Sequence, residues 1–224
     1  MQTYNSKLLR NEDGWKLTKY GSPSLLGNLS RTPRFIGTQS VYGKVERLSY
    51  KGNEHTFVLK KINFSTNNTN RAHIFDTEVR VGSKNGIGKV GPRVLAYRFT
   101  PFGGEYIMDN VEMGHLNSKV IPLARVRKQL SPEFWNAIEK VVTDFHRIAR
   151  GFHGDLHGDN IIIVKVGPKY YIKIIDYGAF RNFSELKHKD KPIKKHYGLN
   201  VYNLGKGQKF IYNKNFFKLL KTTS

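Results

Sequence analysis

Four side chains able to ligate a metal ion or move a proton fall within seven positions of the segment GFHGDLHGDNIIIV, residues 151–164: His153, Asp155, His157 and Asp159. Asn160 and an apolar run follow at once. Three kinds of chemistry use such residues. His153, Asp155 and His157 alternate, so on an extended strand they would share one side, and His with Asp is an acceptable ligand set for Zn²⁺ or Mn²⁺. Gly151, Gly154 and Gly158 argue for a tight loop instead of that strand. The second chemistry is phosphate transfer, in which a loop carboxylate receives a hydroxyl proton. The third reading is a polar turn before a buried strand, with its histidines bonded to nearby backbone.

The wider spacing separates these readings. H-G-D-L-H-G-D-N follows H-x-D-L-x-x-x-N, and I-I-D-Y-G places Asp176 21 residues after Asp155, with a predicted hairpin between them. In this order the two motifs resemble the catalytic loop and the Asp-Phe-Gly metal motif of the protein-kinase-like superfamily. The variant is similar to its atypical members: RIO/Bud32-like kinases, aminoglycoside and choline phosphotransferases, and divergent kinases of large DNA viruses. The resemblance implies ATP and Mg²⁺ as cofactors. Phosphoryl transfer asks a protein mainly for positioning and charge neutralisation. By resemblance, Asp155 orients or deprotonates the acceptor hydroxyl, Asn160 and Asp176 hold Mg²⁺, and His153 supports the loop by packing. His157 stands where many protein kinases carry a lysine near the γ-phosphate, and a structural role is equally open to it. Asp159 is read as a loop or capping residue.

The same resemblance assigns residues upstream. TQSVYGKV matches G-x-G-x-x-G-x-V only at Gly43 and Val45, with Thr38 and Ser40 in the first two glycine positions and Gly37 just before. FVLK resembles V-A-I-K and gives Lys60, 15 residues after Val45, the nucleotide phosphates; Lys61 competes for that role. Glu78, 18 residues further on, is the implied partner of Lys60. YIMDNVEMG lies where the hinge falls, with Met108 as gatekeeper and the Asp109–Val111 backbone available for adenine. Catalysis is thus assigned to Asp155, Lys60 and Glu78. Nucleotide binding is assigned to Gly37, Ser40, Gly43, Val45, Lys60, Met108, Asp109 and Val111. Two departures are informative. Gly154 replaces the usual arginine, so activation-loop phosphorylation read by that arginine is not expected. No Ala-Pro-Glu follows Gly178, where 46 residues remain, so a minimal C-terminal lobe is expected.

The elements that must position these residues are legible from periodicity and turn signals. Residues 1–34 show no sustained period and read as an N-terminal arm. Residues 35–112 read as a lobe of about five antiparallel strands with one helix inserted. Its helix runs from Asn70 to Val81, with Ala72, Phe75 and Val79 at helical spacing and Gly82 as the stop. Residues 113–224 read as a shortened, mainly helical lobe with a basic tail. Ser131-Pro132-Glu133 starts its strongest helix, whose stripe is Phe134, Ile138, Val141, Val142, Phe145 and Ile148, ending at Gly151. NIIIVKV and YYIKII then form a hairpin around GPK. The expected fold class is α+β, bilobal and protein-kinase-like, with the resemblance covering about residues 35–180.

Composition bounds the rest. The 224 residues carry 38 Lys+Arg against 17 Asp+Glu, a formal charge of +21 that attracts polyanions such as nucleic acid, nucleotide phosphates or acidic protein. Absence of cysteine excludes disulfides, thiolate metal sites and cysteine nucleophiles. The N-terminus lacks a signal-peptide core and no apolar run spans a membrane, so an intracellular place, cytoplasmic, nuclear or in a virion, is expected. The tail after Gly178 holds 11 Lys/Arg and two acids. It reads either as a polyanion-binding segment or as an amphipathic helix docking Phe216, Phe217, Leu219 and Leu220. The function expected is an ATP- and Mg²⁺-dependent Ser/Thr protein kinase. A small-molecule kinase and a non-catalytic nucleic-acid-binding protein on a degenerate kinase fold are the alternatives.

Overall fold

The computed structural model describes residues 13–35, 43–64 and 69–182. Seven of its strands and its first two helices precede or adjoin the expected hinge: β1 (Lys16–Leu17), α1 (Pro23–Gly27), β2 (Leu29–Phe35), β3 (Gly43–Tyr50), β4 (Asn53–Asn63), α2 (Thr69–Gly82), β5 (Val94–Thr100), β6 (Gly103–Asp109) and β7 (Lys119–Pro122). There follow α3 (Leu123–Val126), α4 (Pro132–Ala149), β8 (Gly151–Phe152), β9 (Ile161–Val166), β10 (Lys169–Ile174) and β11 (Arg181–Asn182).

The first lobe is one antiparallel sheet in the order β1-β5-β6-β4-β3-β2. Alternation along β4 sets its two faces. Phe57 and Leu59 join Trp15, Leu26, Leu29, Leu48 and Ile107 on one side. On the other side Ile62, with Tyr106 and Val94, packs against Phe75 and Val79 of α2. The sheet thus has six strands where about five are expected, and the segment expected to be an arm supplies both edge strands, β1 and all but the last residue of β2. Trp15, Leu26 and Leu29 are buried. Apolar residues this scattered lack a period, yet each fills a place at a sheet edge.

The second lobe centres on α4. Ser131 caps it by accepting from the Phe134 N–H, and Pro132 begins it. Its buried stripe is Trp135, Ile138, Val142, Phe145, His146 and Ala149, while Phe134, Val141 and Ile148 are only partly buried. Arg150, at φ 54°, takes the left-handed cap position expected of Gly151. Gly151 is required for a close approach instead: a Cβ there would sit 2.2 Å from the Arg181 carbonyl oxygen on the paired strand β11. Among the described residues this lobe is not mainly helical. β10, β9 and β7 form a three-stranded sheet, because the stretch after the hinge lays β7 against the hairpin. The expected tail helix and basic tail lie in 183–224, outside the described residues.

Hydrogen bonds to first-lobe backbone carbonyls join the lobes. Ile174 N–H donates to Val90 O at 2.7 Å, Lys173 Nζ to Gly88 O at 2.7 Å, and Tyr177 OH to Pro92 O at 3.3 Å.

Candidate active site

Parity along β4 decides between the two competing lysines. Lys60 lies opposite Val45 on β3 and Tyr106 on β6, on the face covered by α2. Lys61 points to the other face and pairs with Glu46 at 2.7 Å. Glu78, near the C-terminal end of α2, meets Lys60 Nζ at 2.6 Å through Oε1, and Asp176 Oδ1 lies 3.2 Å from the same ammonium. Three elements far apart in sequence therefore converge on one nitrogen.

Tyr106 is the fourth member of this cluster and was not among the residues singled out by sequence. Its fully buried hydroxyl donates to Glu78 Oε2. The available signal was register: Tyr106 sits two residues before Met108, so both face α2.

The charges respond to this packing. Burial alone would lower the Lys60 ammonium, but the two carboxylates outweigh it and hold the group up at about 12. Burial pushes the Glu78 carboxyl up, against the opposing pull of Lys60. Burial acts upward on Asp176 too, yet the Lys60 ammonium brings it down to about 2. Asp176 also adopts φ 64°, a left-handed conformation costing of order 1–3 kcal/mol in a non-glycine residue.

The HGDLHGDN stretch is a loop, and its histidines do not share one side. His153 is fully buried against Phe145 and Tyr177, and its Nε2 donates to Ile175 O at 2.7 Å. Burial lowers its pKa. His157 faces outward between Asp155 and Asp159, 3.9 and 3.6 Å away. Asn160 is buried; its Nδ2 donates to Asp155 O at 2.8 Å and to His157 Nε2 at 3.1 Å. Ile175 N–H in turn donates to Asn160 O at 3.0 Å. Ile175 thus fastens the residue before Asp176 to both ends of the loop. Gly154, at φ 79°, lies so close to the 3₁₀ turn Tyr177–Ala179 after Asp176 that a Cβ would come within 2.0 Å of Ala179 O.

With Nδ2 of Asn160 committed, Oδ1 is its remaining ligand atom, and the Asp176 carboxylate is half exposed. An amide oxygen and a carboxylate with open positions fit Mg²⁺, a hard cation that retains water and takes phosphate oxygens. No closed cage of three or more His, Asp or Glu exists among the described residues.

The other expected nucleotide contacts divide. Gly37 and Ser40 lie outside the described residues, while Gly43 and Val45 open β3. Met108 packs beside Tyr106 against the α2 cluster. The hinge backbone differs from expectation: Asp109 N–H donates to Arg93 O at 3.0 Å and Asn110 N–H to Thr56 O at 2.8 Å. Of these three N–H groups only that of Val111 has no partner among the described residues. The Asp109 side chain clamps Arg93 through two oxygens, at 2.7 and 3.0 Å. Both line a cavity of about 450 Å³ that none of Lys60, Glu78, Asp155, Asn160 or Asp176 borders.

No family model and no curated protein matches the sequence. Solved structures do match. The kinase domain of PknI from Mycobacterium tuberculosis superposes with a TM-score of 0.51 at 17% identity, over 68% of this chain and 60% of that one. A point variant of the same domain gives 0.50 at 18% identity, over the same shares. The chain thus spans about 60% of the length of the kinase domains it matches. The order of β2 to β6 around α2, the hinge, α4 and the loop ahead of Asp176 is that of a protein kinase domain, and the chain has the protein-kinase-like fold.

Proposed function

We propose that the protein is an ATP- and Mg²⁺-dependent phosphotransferase that transfers the γ-phosphate to a Ser or Thr hydroxyl of a protein. The observation that carries this reading is the convergence of Lys60, Glu78 and Asp176, with Asp155 and Asn160 fastened alongside through Ile175. In phosphoryl transfer the lysine–glutamate pair and the metal-binding aspartate must both be in place. Lys60 offers its ammonium to the nucleotide phosphates, held there by Glu78. Asp155, 43% exposed, presents a carboxylate that orients the acceptor hydroxyl and takes its proton. Asn160 Oδ1 and Asp176 would hold Mg²⁺, which when bound neutralises phosphate charge. Val111 N–H remains for the adenine edge.

The test is transfer of radiolabelled phosphate from ATP to protein acceptors, with aminoglycosides and choline in parallel. Asp155→Ala is expected to lower kcat by at least about a thousandfold while nucleotide affinity changes little. Full transfer by that variant overturns the assignment. Transfer confined to the small molecules moves the acceptor to that class.

A further inference from the structure

Some cations of this molecule are paired with acids and others are not. In the first lobe Arg31, Arg47, Lys61, Arg93 and Arg98 each meet a carboxylate within 4 Å. Beside the HGDLHGDN loop they do not. Lys119 on β7 lies directly opposite Lys165 on β9, which lies opposite Tyr170 on β10. Arg125 and Lys128 follow on the turn after β7 and are exposed; Lys169 is exposed too, at the tip of the hairpin and, opposite Val166, on the other face from Tyr170. Among the described residues none of these five cations pairs with a carboxylate. Like charges placed opposite each other on neighbouring strands cost stability.

This surface is anchored to the loop. Ala124 N–H donates to Gly158 O at 3.1 Å, and a Cβ on Gly158 would lie 2.9 Å from that nitrogen. The turn carrying Arg125 therefore rests on the loop that carries Asp155. From Ile161, next to Asn160, to Lys165 is four residues of strand, roughly 13 Å. The cations thus form a track from the loop outward, as long as about four residues of extended peptide.

We infer that this track binds a carboxylate-rich segment of the acceptor protein, so that acidic residues within about four positions of the phosphorylated Ser or Thr specify the substrate. The inference rests on the kinase reading and adds the substrate class to it. Carboxylates suit the surface better than nucleic acid does. Its one exposed ring, Tyr170, is already engaged by Lys165 Nζ at 5.3 Å and edge-on by Phe134 at 5.8 Å, which leaves no free platform for base stacking.

The experiment uses the full chain and fluorescein-labelled Ser-containing peptides of equal length flanked by Glu, Ala or Lys. Anisotropy titrations need no turnover, and phosphorylation rates are measured on the same peptides. The Glu-flanked peptide is expected to bind, and to be phosphorylated in kcat/KM terms, at least about tenfold better than the Ala-flanked one. In Lys119→Glu/Lys165→Glu, and independently in Arg125→Glu/Lys128→Glu, that ratio is expected to fall toward one. Equal binding of all peptides, or an unchanged ratio in both variants, overturns the inference. Tighter binding of a 20-mer oligonucleotide than of the Glu peptide, abolished by the same reversals, overturns it in favour of nucleic acid. Phosphorylation without acidic preference defeats this inference alone. Acidic-peptide binding without ATP turnover defeats the kinase reading alone.

Discussion

At the residue scale, the site depends on one buried carboxylate held from two sides. Glu78 is 5% exposed, with Lys60 on one oxygen and Tyr106 on the other. A hydrogen bond to a charged group contributes about 1.5–3 kcal/mol, one to two powers of ten in rate where the geometry matters only in transfer. Tyr106→Phe, which keeps the ring and removes the hydroxyl, is therefore expected to lower kcat about tenfold or more while the nucleotide KM moves less. Steady-state kinetics on ATP separates the two, and a wild-type kcat would show that Lys60 alone suffices to hold Glu78. Lys60 was legible in the sequence because FVLK and the 15-residue spacing from Val45 agree. Tyr106 was not, since a tyrosine in an apolar strand is ordinarily core and only the packing of α2 puts a carboxylate at its tip.

At the scale of elements, α4 holds the site from below and does so with a titratable core. His146 is buried beside Phe145 and near His153, and burial lowers its pKa from 6.5 to about 3. The unfolded chain then binds more protons than the folded one between these values, so stability rises with pH across the window. The contribution is complete above pH 6.5 and is lost as pH falls toward 3, on the order of 5 kcal/mol over the whole range. His146→Leu is expected to flatten the drop in unfolding midpoint between pH 7 and pH 4.5, measured by circular dichroism. His153, also lowered by burial, keeps part of the slope in that variant. The start of α4 was legible because cap, proline and stripe all signal it, although the stripe is turned toward Trp135 and His146. The edges β1 and β2 were not. A two-residue strand has no period, and the burial of Leu26 depends on β3 and β5 being present to receive it.

At the scale of the whole molecule, a charge of +21 leaves cations of both lobes without a carboxylate partner among the described residues, beside the ion pairs of the first lobe. Self-repulsion of this size destabilises a compact chain, and salt screens it over about 8–10 Å. Raising NaCl from 20 to 300 mM, on the order of the range over which screening develops, is expected to raise the unfolding midpoint by about 2–4 °C. A fall would mean that the ion pairs of the first lobe outweigh the repulsion. The sign of the charge was plain in the composition. Its placement was not, because it arises from β7 lying against β9 and setting Lys119 opposite Lys165.

At Gly154 the loop has no room for any other residue. Its backbone is left-handed and its missing Cβ is the space that Ala179 O occupies. An arginine before Asp155 would require the segment after Asp176 to shift, because φ 79° and the Ala179 carbonyl together exclude a side chain from this backbone. The two segments are keyed to each other: the glycine stays as long as Ala179 keeps its place.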